Sequence, residues 1–163
     1  MNTTINFKET QRFTQWWLWV ILIAFDLFAV YLIYSHFVID KPIGDHPLPS
    51  WGVLLYVVFT FALFALFVTM RLETTINRSG IYINFFPLIS KHIPWESIAS
   101  AEMVDYGFVG GWGIRLGTKY GTVYNVKGNL GLALRLKTGK KLCVGTQKAE
   151  ELKRVLDKAI INK

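Results

Sequence analysis

The chain has 163 residues, 52% of them hydrophobic, with 18 Lys and Arg against 11 Asp and Glu and one cysteine. That length holds about one compact domain beside two membrane spans, and a lone Cys143 excludes an internal disulfide or a thiolate metal centre. The charge is split: residues 1–70 sum to −1, while residues 71–163 carry fifteen Lys and Arg against seven Asp and Glu, a net +8.

Residues 1–14 read as a short cytoplasmic segment holding Lys8 and Arg12. Residues 15–70 read as a transmembrane helical hairpin, with spans over 16–36 and 51–70. A helix rises 1.5 Å per residue, so about 20 apolar residues match a hydrocarbon core of about 30 Å. Trp16 and Trp17 open the first run, and Tyr31 and Tyr34 close it. Aromatic rings with one polar atom favour the two membrane interfaces. The run is longer than a signal-peptide core, and Tyr34-Ser35-His36-Phe37 offers no small-residue cleavage site.

The second run, Trp51 to Met70, is uncharged and stops at Arg71. Pro47 and Pro49 break regular structure before it, and Ser50 can cap its start. The short connection makes the two helices an antiparallel hairpin. Lys8 and Arg12 on one flank, with Arg71 and Arg78 on the other, outweigh Lys41 in the loop, which Asp40 and Asp45 accompany. The positive-inside rule then puts both termini and the basic domain in the cytoplasm, at the inner membrane of a bacterium. Asp26 falls near the middle of the first span, where an ionised carboxyl is costly, and so reads as a helix–helix contact. Tyr56 and Thr60, at similar depth on the other helix, are its candidate hydrogen-bond partners. His36 and His46 read as solvated loop rather than as a zinc site.

After Arg71 the apolar period changes to two. Leu72, Thr74 and Ile76 share one face, as do Ile81, Ile83 and Phe85, and Asn77-Arg78-Ser79-Gly80 reads as the turn between them. Further strands fit Lys91–Trp95, continuing through Ile98–Val104, then Gly113–Leu116 and Thr122–Val126. A last hairpin pairs Leu132–Leu136 with Lys140–Val144 across Thr138-Gly139. Cys143 reads as an inert strand residue. Thr146 is the expected N-cap of a closing helix, with Glu150 and Glu151 in its electropositive first turn. Leu152, Val155, Leu156, Ala159 and Ile160 form its apolar stripe. About seven strands and one helix predict a partly open antiparallel barrel or sandwich capped by the helix.

A resemblance rests on Leu72-Glu73-Thr74-Thr75-Ile76-Asn77 leading to Gly80-Ile81-Tyr82, on Ile93-Pro94-Trp95-Glu96-Ser97-Ile98, on Gly110-Gly111-Trp112-Gly113-Ile114-Arg115 and Tyr124 to Asn129, and on Lys140 to Gln147. With these, residues 71–162 resemble the bacterial pleckstrin-homology-like (PH-like) domains of small membrane proteins. The resemblance implies that fold, and a membrane-tethered domain that binds rather than catalyses. It does not extend to inositide recognition, for which the first hairpin turn supplies only Arg78.

The expected contacts are Arg115, Lys137, Lys140 and Lys141, with Trp112 beside the glycine-rich bend. A basic surface of this kind fits a protein partner or a second copy of the chain, and secondly anionic lipid. Gly110 to Gly113 lacks the strand–turn–helix setting and spacing of a dinucleotide fingerprint. No recognisable nucleophile–base pair, cofactor motif or metal-ligand spacing stands out, and nucleic acid is not an expected partner of an anchored domain. The expectation is a non-catalytic binding or assembly module. The alternative is an accessory subunit of a transporter or membrane enzyme, docking through the hairpin at Asp26.

Overall fold

The computed structural model describes residues 7–41 and 43–161, with side chains up to residue 158. It divides into two units: residues 14–69, and a second made of residues 1–13 together with 70–163.

The first unit is a helical pair. Helix α1 (Trp16–Ile33) continues through a π-helical turn (Tyr34–Val38), and α2 covers Ser50–Thr69. Trp19 meets Phe64 edge-on at 5.8 Å, and Phe28 meets Tyr56 at 6.0 Å. One index rises as the other falls, so the helices run antiparallel. Both are long and apolar enough to cross a membrane, and only 17% and 11% of their most apolar stretches are buried. A core helix of a soluble domain would bury most of its surface; these two leave residues such as Leu55 and Val58 open on the outside. The loop is drawn together by His36 Nε2 and Ser50 Oγ, 3.0 Å apart, and by the Ser35 hydroxyl, which donates to the Lys41 carbonyl.

The second unit holds nine strands among the described residues, in two sheets with a terminal helix, where the sequence reading expected about seven. Four antiparallel strands form the first sheet, in the order β1 (Phe7–Arg12), β2 (Arg71–Asn77), β3 (Gly80–Phe86), β4 (Ile89–Pro94). The expected alternation holds in β2 and β3, where Leu72, Thr74, Ile76, Ile81, Ile83 and Phe85 are all buried. The Asn77–Gly80 turn is fixed by Asn77 Oδ1, which accepts from the backbone N–H groups of Ser79 and Gly80.

β1 is the strand that the sequence reading did not anticipate. It lies before the first apolar helix and pairs in full with β2, from Phe7 opposite Ile76 to Arg12 opposite Arg71. The apolar hairpin is therefore inserted between two neighbouring, hydrogen-bonded strands.

The second sheet has the order β5-β8-β9-β7-β6, built from Ile98–Asp105, Leu130–Leu136, Lys141–Gly145, Gly121–Asn125 and Gly113–Thr118 respectively. The single strand expected through 91–104 is broken by a 3-10 turn at Trp95–Ser97, which passes the chain from one sheet to the other. β7 and β9 are parallel, Val123 facing Cys143, which departs from the expected all-antiparallel arrangement. Helix α3 covers Ala149–Ile161 and buries Leu152 and Leu156. The side chains of Ala159 and Ile160, expected in its stripe, lie outside the described ones.

The helix starts three residues after Thr146, so that residue is not its N-cap. The Thr146 hydroxyl instead accepts from Lys148 N–H and donates to Glu9 Oε2 at 2.6 Å. Glu9 Oε1 also accepts from Gln147 N–H at 2.7 Å, and Gln11 Nε2 donates to the Gly145 carbonyl at 2.7 Å. Two polar side chains on the inward face of β1 thus tie the first strand to the end of β9 and the approach to α3. Buried polar groups are tolerated when satisfied in this way.

Candidate functional site

Strand β4 is the outer strand of the first sheet and carries Lys91 and His92 on exposed positions. In the second sheet, β8 turns into β9 at Thr138-Gly139, where Gly139 takes a left-handed φ of 82° and Leu136 N–H donates to the Lys140 carbonyl. Where the edge of β4 meets this hairpin and the starts of β7 and β9, a cleft of ≈ 480 Å³ opens. Lys91 and His92 of β4 and Lys140 and Lys141 of the hairpin line it, and among the described residues no acidic one does.

Local packing holds Lys91 and His92. The His92 ring stacks on Tyr82, centroids 4.1 Å apart, and the Lys91 ammonium lies 5.4 Å from the centroid of the buried Tyr124 ring. A cation over an aromatic face gains about 0.5–1 kcal/mol at a partly exposed site. At the cleft edge Gly121 has a φ of 78°, and a Cβ there would stand 2.1 Å from the Lys141 carbonyl oxygen. Only glycine lets the two backbones approach so closely. Three lysines line this one concavity with no carboxylate among the described lining residues, and clustered charge of one sign focuses a positive potential that an anionic group would relieve.

Lys141 also lines a second hollow, of ≈ 280 Å³, with Lys119 and Arg135 opposite Glu102. The expected contact residues therefore separate into groups. Lys140 and Lys141 meet in the cleft. Lys137 is exposed near the hairpin tip and donates its backbone N–H to Ser97.

Arg115 and Trp112 lie elsewhere, at the glycine-rich bend. There Arg115 Nη2 donates to the Trp112 carbonyl at 2.8 Å, and Gly110, Gly111 and Gly113 all have positive φ. A Cβ on Gly111 would meet that guanidinium at 2.6 Å. Trp112 borders a third hollow, of ≈ 370 Å³, with Phe108, which is 89% exposed. Lys91 and His92, which complete the cleft, were not singled out from sequence. They stand some fifty residues from Lys140 and Lys141, and nothing in their local pattern marks a shared site.

Two ionisable groups lie in the core behind these surfaces. Burial pushes the Cys143 thiol up from 9.0 to about 12. A thiol held protonated is no nucleophile near neutral pH. Burial likewise raises the Tyr106 phenol, whose hydroxyl donates to the Gly128 carbonyl at 3.0 Å.

In the helical pair, the Thr60 hydroxyl donates to the Val57 carbonyl within its own helix, and Tyr56 packs its ring on Phe28. Asp26 Oδ1 is buried and has no hydrogen-bond partner among the described residues. Among those residues no three His, Cys, Asp or Glu side chains come together as a metal site. Compared with protein-family models, with curated proteins and with solved structures, the chain matches none of them.

Proposed function

We propose that the chain is a two-pass bacterial inner-membrane protein that presents a PH-like, non-catalytic binding module to the cytoplasm. Its basic cleft receives an acidic segment of a protein partner or of a second copy, with anionic lipid as a secondary contact. The observation that carries this reading is that Lys91, Lys140 and Lys141, with His92, line one cleft that no carboxylate lines among the described residues. β4, as an outer strand, also leaves backbone donors and acceptors along the cleft side, and an extended segment can add to such an edge.

The test uses the full chain in nanodiscs of neutral lipid, titrated with an acidic extended peptide and with a neutral peptide of equal length. Binding should favour the acidic peptide, weaken with salt, and fall about tenfold in a Lys140→Glu/Lys141→Glu variant, a loss near 1.4 kcal/mol. Equal binding by wild type and variant would overturn the cleft as the site. Gain of binding to nanodiscs carrying anionic lipid, without peptide binding, would make lipid the primary ligand.

A second reading, an accessory subunit that docks through its hairpin, is favoured by one observation: the unpartnered Asp26 oxygen. A donor from another helix would satisfy it.

A further inference from the structure

We infer that the turn between β3 and β4 is a third membrane contact, seating Phe86 and Leu88 at the boundary of headgroups and acyl chains. The inference rests on the reading of α1 and α2 as membrane spans. Its basis is the register of the first sheet together with the continuity of the chain. β2 begins at Arg71, two residues after α2 ends at Thr69, and β1 ends at Arg12, four residues before α1 begins at Trp16.

Arg12 pairs with Arg71, and Arg71 pairs with Phe86. Paired antiparallel residues lie about 5 Å apart, so Phe86 stands one strand away from the point at which the chain leaves for the second span. The level of the sheet at which both helices are attached is also the level of this turn.

The residues at that level have the composition of an interfacial contact. Phe86 and Leu88 are 40% and 52% exposed, although tight turns ordinarily carry polar residues or glycine. The turn is closed by a hydrogen bond from Leu88 N–H to the Phe85 carbonyl at 2.8 Å, which fixes the backbone that presents them. The Arg71 guanidinium lies 4.9 Å from the Phe86 ring centroid and is bridged to Glu73 at 2.8 Å, and Arg12 is exposed on the next strand.

Apolar side chains entering the acyl boundary, with guanidinium groups at the phosphate level, are the two parts of an interfacial anchor. At the opposite end of the same sheet the turn is Asn77-Arg78-Ser79-Gly80, polar throughout. The asymmetry between the two ends follows their distance from the attachment points.

The test places an environment-sensitive fluorophore on single cysteines in the full chain, reconstituted in vesicles of neutral lipid with a minor anionic component. Cys143 is fully buried with a thiol near 12 and does not compete for the label. Three variants are compared: Leu88→Cys at the turn, Ser79→Cys at the far end of the sheet, and Leu55→Cys within α2. A lipid spin-labelled near its headgroup should quench the probe at position 88 about twofold or more over that at 79, with a shift to shorter emission wavelength. A lipid spin-labelled deep in its chain should quench the probe at 55.

Quenching at 55 with positions 79 and 88 equally unquenched would overturn the third contact and leave the spans standing. Loss of quenching at all three would overturn the membrane reading and the contact with it.

Discussion

Among the described residues, Glu9 and Asp26 each hold carboxylate oxygen away from water, and they are treated in opposite ways. Glu9 is 4% exposed, and both of its oxygens accept hydrogen bonds, from the Thr146 hydroxyl and the Gln147 amide. Asp26, in the apolar helical pair, has a buried oxygen with no partner among the described residues. An unsatisfied buried acceptor costs about 1–3 kcal/mol, whereas a satisfied charged one contributes about 1.5–3 kcal/mol per bond. The difference separates a polar residue that completes a fold from one left over for something else.

The contrast can be broken first at Glu9. Glu9→Ala should cost about 4 kcal/mol, because it removes two charge-assisted bonds and leaves two donors unpaired. Denaturant unfolding of the detergent-solubilised chain measures it, and a loss below about 1 kcal/mol would make the tie incidental.

A smaller effect belongs to Cys143, a third withdrawn ionisable group, for which burial alone sets the balance. Its thiol sits at about 12 in the folded chain against an ordinary 9.0. The folded state therefore holds its proton where the unfolded state releases it. That contribution is complete below 9.0 and is lost as pH rises toward about 12, amounting to about 2 kcal/mol by pH ~10.5. A Cys143→Ala variant compared with wild type at both pH values isolates the effect, and an identical pH slope in the two would refute it.

The smallest expected effect sharpens the contrast at Asp26. Asp26→Leu should leave the solubilised chain at least as stable, within about 1 kcal/mol, since no bond is lost. If another helix seats on that oxygen, the same change weakens association about tenfold, as intramembrane hydrogen bonds are worth about 1–2 kcal/mol. Unchanged complex size in mild detergent would show that nothing docks there.

What could be read from sequence follows the same division between local and distant causes. The two long apolar helices were legible because length and hydropathy are local properties. So were β2 and β3, where Leu72, Thr74, Ile76, Ile81, Ile83 and Phe85 alternate strictly. β1 was not, because Phe7-Lys8-Glu9-Thr10-Gln11-Arg12 puts one apolar and two polar residues on its buried face. Its strand character comes from β2 and from Thr146 and Gln147, more than 130 residues further on. The basic cleft was half legible: Lys140 and Lys141 share a hairpin, while Lys91 and His92 reach it only through the meeting of the two sheets. Arg115 was grouped with them by charge, but the glycine-rich bend binds it locally.

The pairing of β1 with β2 bears on how the chain is made. β1 leaves the ribosome before either helix, and its partners leave after both, so the first sheet closes only when the ends of the helical pair lie in the same compartment. Were one helix to cross a membrane and the other not, Phe7 to Arg12 would be stranded opposite nothing, Glu9 would lose both donors, and the hydrophobic face of β2 would be laid bare. On the proposed membrane reading, the first sheet thus acts as a check on topology, because it can close only when both ends of the helical pair lie on one side.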